Sequence, residues 1–377
     1  MEPNTAEIAS VFQENFAQRG ELGASVSIWQ RGREILSLAG GFQDRQKTRP
    51  WTSTTRILFF SATKGLAAGT TLALLEREKI ELDEPVSSVW PEFAQNGKSG
   101  ITFGQVLSHQ AGLCGLTSEQ VPSLLDHDSV AVALAEQAPL WKPGTQHGYH
   151  TRTFGFLLDE IVRRITARTL GAMWREIFGD PLQLDLWIGL PKELVDEVAP
   201  IFPTRNSGGL PDDDFWRAMG KRGSLTQLAF STPAGLAAVS SMNTPEARMA
   251  SLPAMGGIGT ASSLGKWYGI LADGGHGFVS QNTIQKMSTT LTTGFDAVTL
   301  QTTAFSAGFM QDPIGAHGKT RSIFGPSPRA FGHPGAGGSH AFADPENGIA
   351  FAYVMNQMEL GIFPNAKSLR MIEALYR

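Results

Sequence analysis

Apolar residues near the amino end recur at helical spacing. Ile8, Val11, Phe12 and Phe16 share one face and predict a helix within residues 1–20. The period then changes: residues 24–30 and 35–41 read as strands separated by the polar Arg31-Gly32-Arg33, which predicts a hairpin. A second strand pair lies near the other end, where 340–344 and 348–356 flank Pro345-Glu346-Asn347-Gly348. Asn-Gly is a strong turn signal because both residues tolerate positive φ. The chain closes on a helix over 365–376, with Leu369, Ile372 and Leu375 three residues apart. Between the ends the pattern is helical, around 65–79, 102–108, 153–166 and 263–273, joined by Gly- and Pro-bearing loops with few evident strands.

This distribution predicts an α/β (α+β) protein, with an antiparallel sheet built from the two chain ends, flanked by helices, and a mainly helical region inserted between them. The sheet region is expected to take residues 1–60 and 318–377, with room for part of the middle. The helical region takes 61–317, and a cleft lies where the two meet. Residues 206–223, with Asp212-Asp213-Asp214 and several glycines, are the expected exposed loop or lid.

Composition narrows the function classes. At 377 residues the chain can bury a sizeable core, and 41% hydrophobic with 18% charged residues excludes a mainly disordered chain. A net charge of -4 gives no electrostatic reason to expect nucleic acid or an anionic membrane as partner. The single cysteine, Cys114, leaves no internal disulfide framework or cysteine metal cluster and reads as a small core residue. The first residues carry acids where a secretory signal needs a basic start and an apolar run, and nothing approaches the roughly 18 apolar residues of a membrane span. The expected location is the cytoplasm; no cofactor or metal is implied, and the oligomeric state is not legible.

The chemistry concentrates where the apolar residues 57–60 run into Ser61-Ala62-Thr63-Lys64 and a buried helical pattern. Ser61 and Lys64 are three residues apart, which puts both side chains on one face of a helix beginning near Ser61. A serine hydroxyl needs a base, and lysine serves only if an apolar cleft lowers its pKa. Backbone N–H groups at that helix start can receive an oxyanion. S-x-x-K alone is equally a serine N-cap followed by a solvated lysine. Two further pieces change that balance: Tyr149-His150-Thr151 at a loop-to-helix boundary, and His333-Pro334-Gly335-Ala336 at a late strand.

With these pieces the chain resembles the serine β-lactamase and penicillin-binding-protein superfamily, in the class C-like branch that includes family VIII carboxylesterases. The resemblance covers nearly the whole chain, through FFSATKGLAAG, Tyr149, His333-Pro334-Gly335 where many members have Lys-Thr-Gly, LSHQAGL at 107–113 and GGIGTASSLGKW at 256–267. It implies a β-lactamase-like fold and a covalent mechanism in which Ser61 attacks an acyl carbonyl while Lys64 and Tyr149 share the proton. The Ser61 and Ala336 N–H groups would hold the oxyanion, and His333, Gly335, His150 and Thr151 would meet the substrate. Thr151 and His333 stand where class C β-lactamases carry asparagine and lysine, so the permanent cation for a β-lactam carboxylate is missing there. That favours a carboxylesterase acting on small to medium uncharged acyl esters, small molecules being the only partners implied. An acyltransferase of the kind related to lovastatin biosynthesis, weak β-lactamase or D-amino-acid peptidase activity, and a non-catalytic ligand-binding relative are the alternatives.

Other features read plainly. No Gly-x-Ser-x-Gly elbow exists, since Ala341 stands where Gly338-Ser339 would need its second glycine. Asn96-Gly97-Lys98-Ser99 ends like a phosphate loop but has Glu92 where the first glycine belongs. His109 reads as a structural histidine and Asp212-Asp213-Asp214 as an exposed acidic turn.

Overall fold

The protein is described by a computed structural model covering residues 3–205 and 209–377. Helix α1 (Thr5–Gln18) buries Ile8, Val11 and Phe12, and Asn4 caps it by accepting the Glu7 N–H. Residues 1 and 2 of the expected helix lie outside the described residues. Strands β1 (Gly23–Gln30) and β2 (Arg33–Gly41) form the expected hairpin, with Arg31 and Gly32 both at positive φ in the turn. Helix α2 (Thr63–Arg77) is buried from Thr63 to Leu75, so it is a core helix rather than an amphipathic one. Helices α3 (Thr153–Thr166) and α4 (Ala261–Ala272) follow in the middle of the chain. Then come β3 (Thr292–Phe295), β4 (Thr302–Phe305), β5 (Met310–Gln311), β6 (Phe331–Pro334), β7 (His340–Asp344), β8 (Ile349–Met355) and the closing helix α5 (Ala366–Leu375).

The eight strands form one sheet in the order β2-β1-β8-β7-β6-β5-β4-β3. The last strand pairs with the first, Ala24 opposite Met355 and Gln30 opposite Ile349, so the sheet joins the chain ends. The β7–β8 turn is held by Asp344, whose carboxylate accepts the Glu346 and Asn347 N–H groups, and Gly348 takes the positive φ that the turn requires. All seven residues of β8 are buried, as a strand covered on both faces should be. Helix α4 packs across β1, β7 and β8, while α1 and α5 pack on each other.

Strands β3 to β5 extend the sheet from residues 292–311, a stretch in which the sequence pattern shows few strands. Each is only two to four residues long, too short for an alternation to stand out, and the edge strand β3 contains Gly294. Within the expected lid, residues 206–208 are outside the described residues, and Asp214–Gly220 forms a short helix capped by Asp213. Asp212 and Asp214 pair with Arg217. No helix among the described residues is long and apolar enough to cross a membrane.

Candidate active site

The local sequence around Ser61 builds a tight turn. Ile57–Leu58 pairs with Gly257–Gly259 in a small three-stranded sheet, and the Phe59 N–H continues that pairing to the Gly257 carbonyl at 3.0 Å. Phe60 then adopts φ 44°, a left-handed conformation that costs a side-chain-bearing residue on the order of 1–3 kcal/mol. Thr63 holds the turn: its hydroxyl donates to the Phe60 carbonyl and accepts the Gly257 N–H at 2.7 Å. Ser61 emerges half-buried just before α2, with Lys64 one turn further on.

Lys64 is fully buried. Its Nζ lies 2.8 Å from the Thr151 carbonyl, 3.0 Å from the Ala254 carbonyl and 3.5 Å from Ser61 Oγ. No carboxylate pairs with it among the described residues, and burial pushes its pKa well below the ordinary 10.5. Tyr149 is also buried; its ring centroid is 4.7 Å from Lys64 Nζ, and the ring stacks on His333 with centroids 5.7 Å apart. Burial raises the Tyr149 pKa, with a side-chain hydrogen bond to Ser61 acting in the opposite direction. Both environments favour neutral forms, a free amine and an intact phenol.

The late strand closes the other side. A Cβ on Gly335 would stand 2.1 Å from the Phe59 carbonyl oxygen, so only glycine lets β6 and its following turn press against the Ser61 turn. The atom it would meet is backbone and cannot rotate away. Gly335→Ala is therefore expected to cost ~1–3 kcal/mol of stability. The measurement is a denaturant midpoint at unchanged m-value, and an unshifted midpoint would contradict this packing. Beyond Gly335, the N–H groups of Ala336 and Ser61 make no hydrogen bond among the described residues, and both residues border one cavity.

That cavity measures about 450 Å³. Ser61, Tyr149, Thr151 and His333 line it, and its wall is otherwise mostly apolar, with Phe215 and Phe230 and five methionines, Met219, Met242, Met255, Met310 and Met358. His333 is buried and its pKa falls to about 3, through burial first and the neighbouring Lys64 second. Its Nδ1 bonds the Pro334 carbonyl at 2.7 Å, while Nε2 has no hydrogen-bond partner among the described residues. The structure thus brings together Ser61, Lys64, Tyr149, Thr151, His333, Gly335 and Ala336.

His150 is the exception. It does not line the cavity: its Nε2 accepts the Leu113 N–H at 3.0 Å, its Nδ1 bonds the Gly148 carbonyl at 2.7 Å, and burial takes its pKa to about 4. Sequence adjacency to Tyr149 gave no information about which way the ring points. His109 Nδ1 accepts the His150 N–H, and Cys114 is a buried thiol whose pKa burial pushes up to about 12. Lys98 spends its ammonium on the Gln95 and Gln137 carbonyls.

Comparison with known proteins matches residues 8–374 to the family described as Beta-lactamase. The chain belongs to the Beta-lactamase family. It is similar to the esterase/beta-lactamase LipL of Mycobacterium tuberculosis, 32% identical over 95% of this chain and 82% of LipL. Among solved structures it is similar to a family VIII carboxylesterase, at 34% identity and TM-score 0.87 over 100% of this chain and 97% of the other. A penicillin-binding protein homologue from Caulobacter crescentus matches at 36% identity and TM-score 0.87, over 99% and 97% of the two chains. The β-lactamase-like fold and a serine hydrolase activity follow from these matches.

Two features of this family member escaped the motifs. Asp296, fully buried, accepts the N–H groups of Tyr149, Val298 and Thr299 and the Thr303 hydroxyl, and so fixes the backbone that presents Tyr149. His147 ties the same loop to Thr292 and Thr303. The other is the pair of carbonyls on Lys64, since a backbone oxygen carries no residue-type signal.

Proposed function

We propose that the protein is a carboxylesterase that cleaves small to medium acyl esters through a covalent acyl-enzyme on Ser61. The observation that carries this reading is the set of partners around Lys64 Nζ. A neutral amine has two N–H donors and one lone pair; the Thr151 and Ala254 carbonyls take the two donors, and the lone pair is left for Ser61 Oγ. In this reading Lys64 accepts the Ser61 proton as Oγ bonds to the substrate carbonyl carbon. The resulting oxyanion is received by the Ser61 and Ala336 N–H groups. Collapse breaks the carbonyl–oxygen bond to the alcohol, which takes back a proton delivered from Lys64 through the Tyr149 hydroxyl. Water repeats the sequence, releasing the acid and freeing Ser61.

The cavity supports the substrate size. Its thioether-rich wall is adaptable, because methionine side chains repack around differently shaped apolar groups. The neutral His333 offers no fixed positive charge at the position where lactamases resembling this chain carry lysine. The test is intact-mass spectrometry after exposure to a p-nitrophenyl alkylphosphonate, followed by peptide mapping. A single phosphonyl adduct on Ser61, with loss of ester turnover in parallel, is the expected result. A full loss of turnover with the adduct elsewhere, or with none, would sink the acyl-enzyme on Ser61.

A further inference from the structure

Two charged side chains border the cavity among the described residues, Arg152 and Glu359. Glu359 is paired, its Oε1 lying 2.8 Å from Lys367 Nζ, an ammonium it shares with Glu21 at 3.5 Å. Arg152 is not. It is 7% exposed and makes no ion pair among the described residues, and burial alone lowers its pKa to about 10, so it remains a cation at neutral pH. One terminal nitrogen, Nη1, bonds the Pro233 and Gly235 carbonyls at 2.7 and 2.9 Å. The N–H groups on Nε and Nη2 make no hydrogen bond among the described residues.

A buried, unpaired guanidinium is costly, and its position adds to the cost. Arg152 occupies the N-cap of α3, where the helix presents its positive end and where an oxygen-bearing cap would ordinarily sit. Two carbonyl oxygens supply partial negative charge but no counter-charge. An arrangement of this kind is stabilised when a ligand brings the anion, and a guanidinium fork matches a carboxylate with two parallel hydrogen bonds. His333 stands on the cavity wall where relatives of the class C type carry lysine, and as a neutral imidazole it supplies no cation there. Arg152, three residues after Tyr149, borders the same cavity from a different element.

We propose that Arg152 is a substrate-recognition residue of this cavity, and that the esters this enzyme prefers carry a carboxylate elsewhere in the molecule. The inference rests on the esterase reading above. It places an anionic end on the Arg152 side of the cavity and the scissile ester at Ser61.

The experiment compares charge-matched ester pairs. Mono-p-nitrophenyl glutarate against p-nitrophenyl butyrate places the carboxylate on the acyl side, and 4-acetoxybenzoate against phenyl acetate places it on the alcohol side. The readout is the ratio of kcat/KM for the anionic over the neutral ester, which a general loosening of the Pro233–Gly235 loop would leave unmoved because both terms fall together. In the wild type that ratio is expected to exceed about tenfold for one pair, to drop about tenfold or more in Arg152→Gln, and to fall only part of the way in Arg152→Lys, which keeps the charge but loses the fork. A wild-type ratio at or below one for both pairs overturns the proposal, and so does an equal ratio in Arg152→Gln. If Arg152→Gln fails to fold, the wild-type ratio decides alone. Absence of turnover of all four esters would sink the esterase reading itself, which is a different failure from turnover without preference for the anion.

Discussion

Ser61→Ala is expected to lower kcat/KM for p-nitrophenyl butyrate by about 10⁴-fold or more, with the melting temperature close to that of the wild type. The size of the effect follows from losing the nucleophile outright: without Oγ no acyl-enzyme forms, and what remains is whatever water Lys64 can direct at a carbonyl held near the Ser61 and Ala336 N–H groups. That residue of activity is not zero, since oxyanion donors and binding act without the nucleophile. The fold is expected to tolerate the change. Ser61 is half-buried and the strained Phe60 conformation is held by the Thr63 hydroxyl and the Phe59–Gly257 hydrogen bond, neither of which involves the Ser61 side chain. Steady-state kinetics and a thermal melt on the same preparation read both quantities. Equal turnover by Ser61→Ala and wild type would remove Ser61 from the mechanism; a large fall in melting temperature would mean that the activity loss reports unfolding.

How much of this was legible in the sequence depends on which atoms do the work. Ser61 and Lys64 could be read because their spacing fixes their relation on one helical turn and side-chain type announces the chemistry. The two hairpins and terminal helices could be read because their periods run long enough to stand out. Tyr149 and Ala336 came from resemblance, as nothing in their own spacing links them to Ser61 across 88 and 275 positions of chain (149 − 61 and 336 − 61). The interactions that set the Lys64 environment were beyond reach, because carbonyl oxygens of Thr151 and Ala254 carry no compositional mark. Asp296 escaped for a related reason. A lone aspartate after Gly294-Phe295 reads as a turn residue, and only the fold brings its carboxylate to the Tyr149 N–H at 3.1 Å. His150 shows the opposite failure, in which adjacency to a motif suggested substrate contact and the ring turned out to be occupied by backbone. Arg152 sits beside it in sequence, yet it is the arginine that borders the cavity.

Lys64→Met is expected to lower kcat/KM by about 10²–10⁴-fold, the range for removal of a positioned general base, and to change how stability responds to pH. The kinetic part is accompanied by a test on the wild type. If Lys64 must be neutral to act, kcat/KM rises with pH as Lys64 deprotonates, and because burial lowers its pKa the rise is complete well below 10.5. An acid limb centred at the ordinary lysine value would mean that Lys64 is a conventional ammonium and not the base. The stability part has a definite sign. Between the lowered folded pKa and the unfolded value near 10.4, the unfolded chain holds a proton on Lys64 that the folded one does not, so raising the pH through that window stabilises the wild type, by up to about 1.4 kcal/mol per pH unit. Methionine has no such proton and leaves the Thr151 and Ala254 carbonyls without their donor, a cost that does not vary with pH. The difference in unfolding free energy between wild type and Lys64→Met is therefore expected to grow in favour of the wild type from pH 7 to pH 10, measured by denaturant titration at each pH. Parallel curves over that range would show that Lys64 keeps its proton in the folded protein, and the lone pair assigned to Ser61 would not exist.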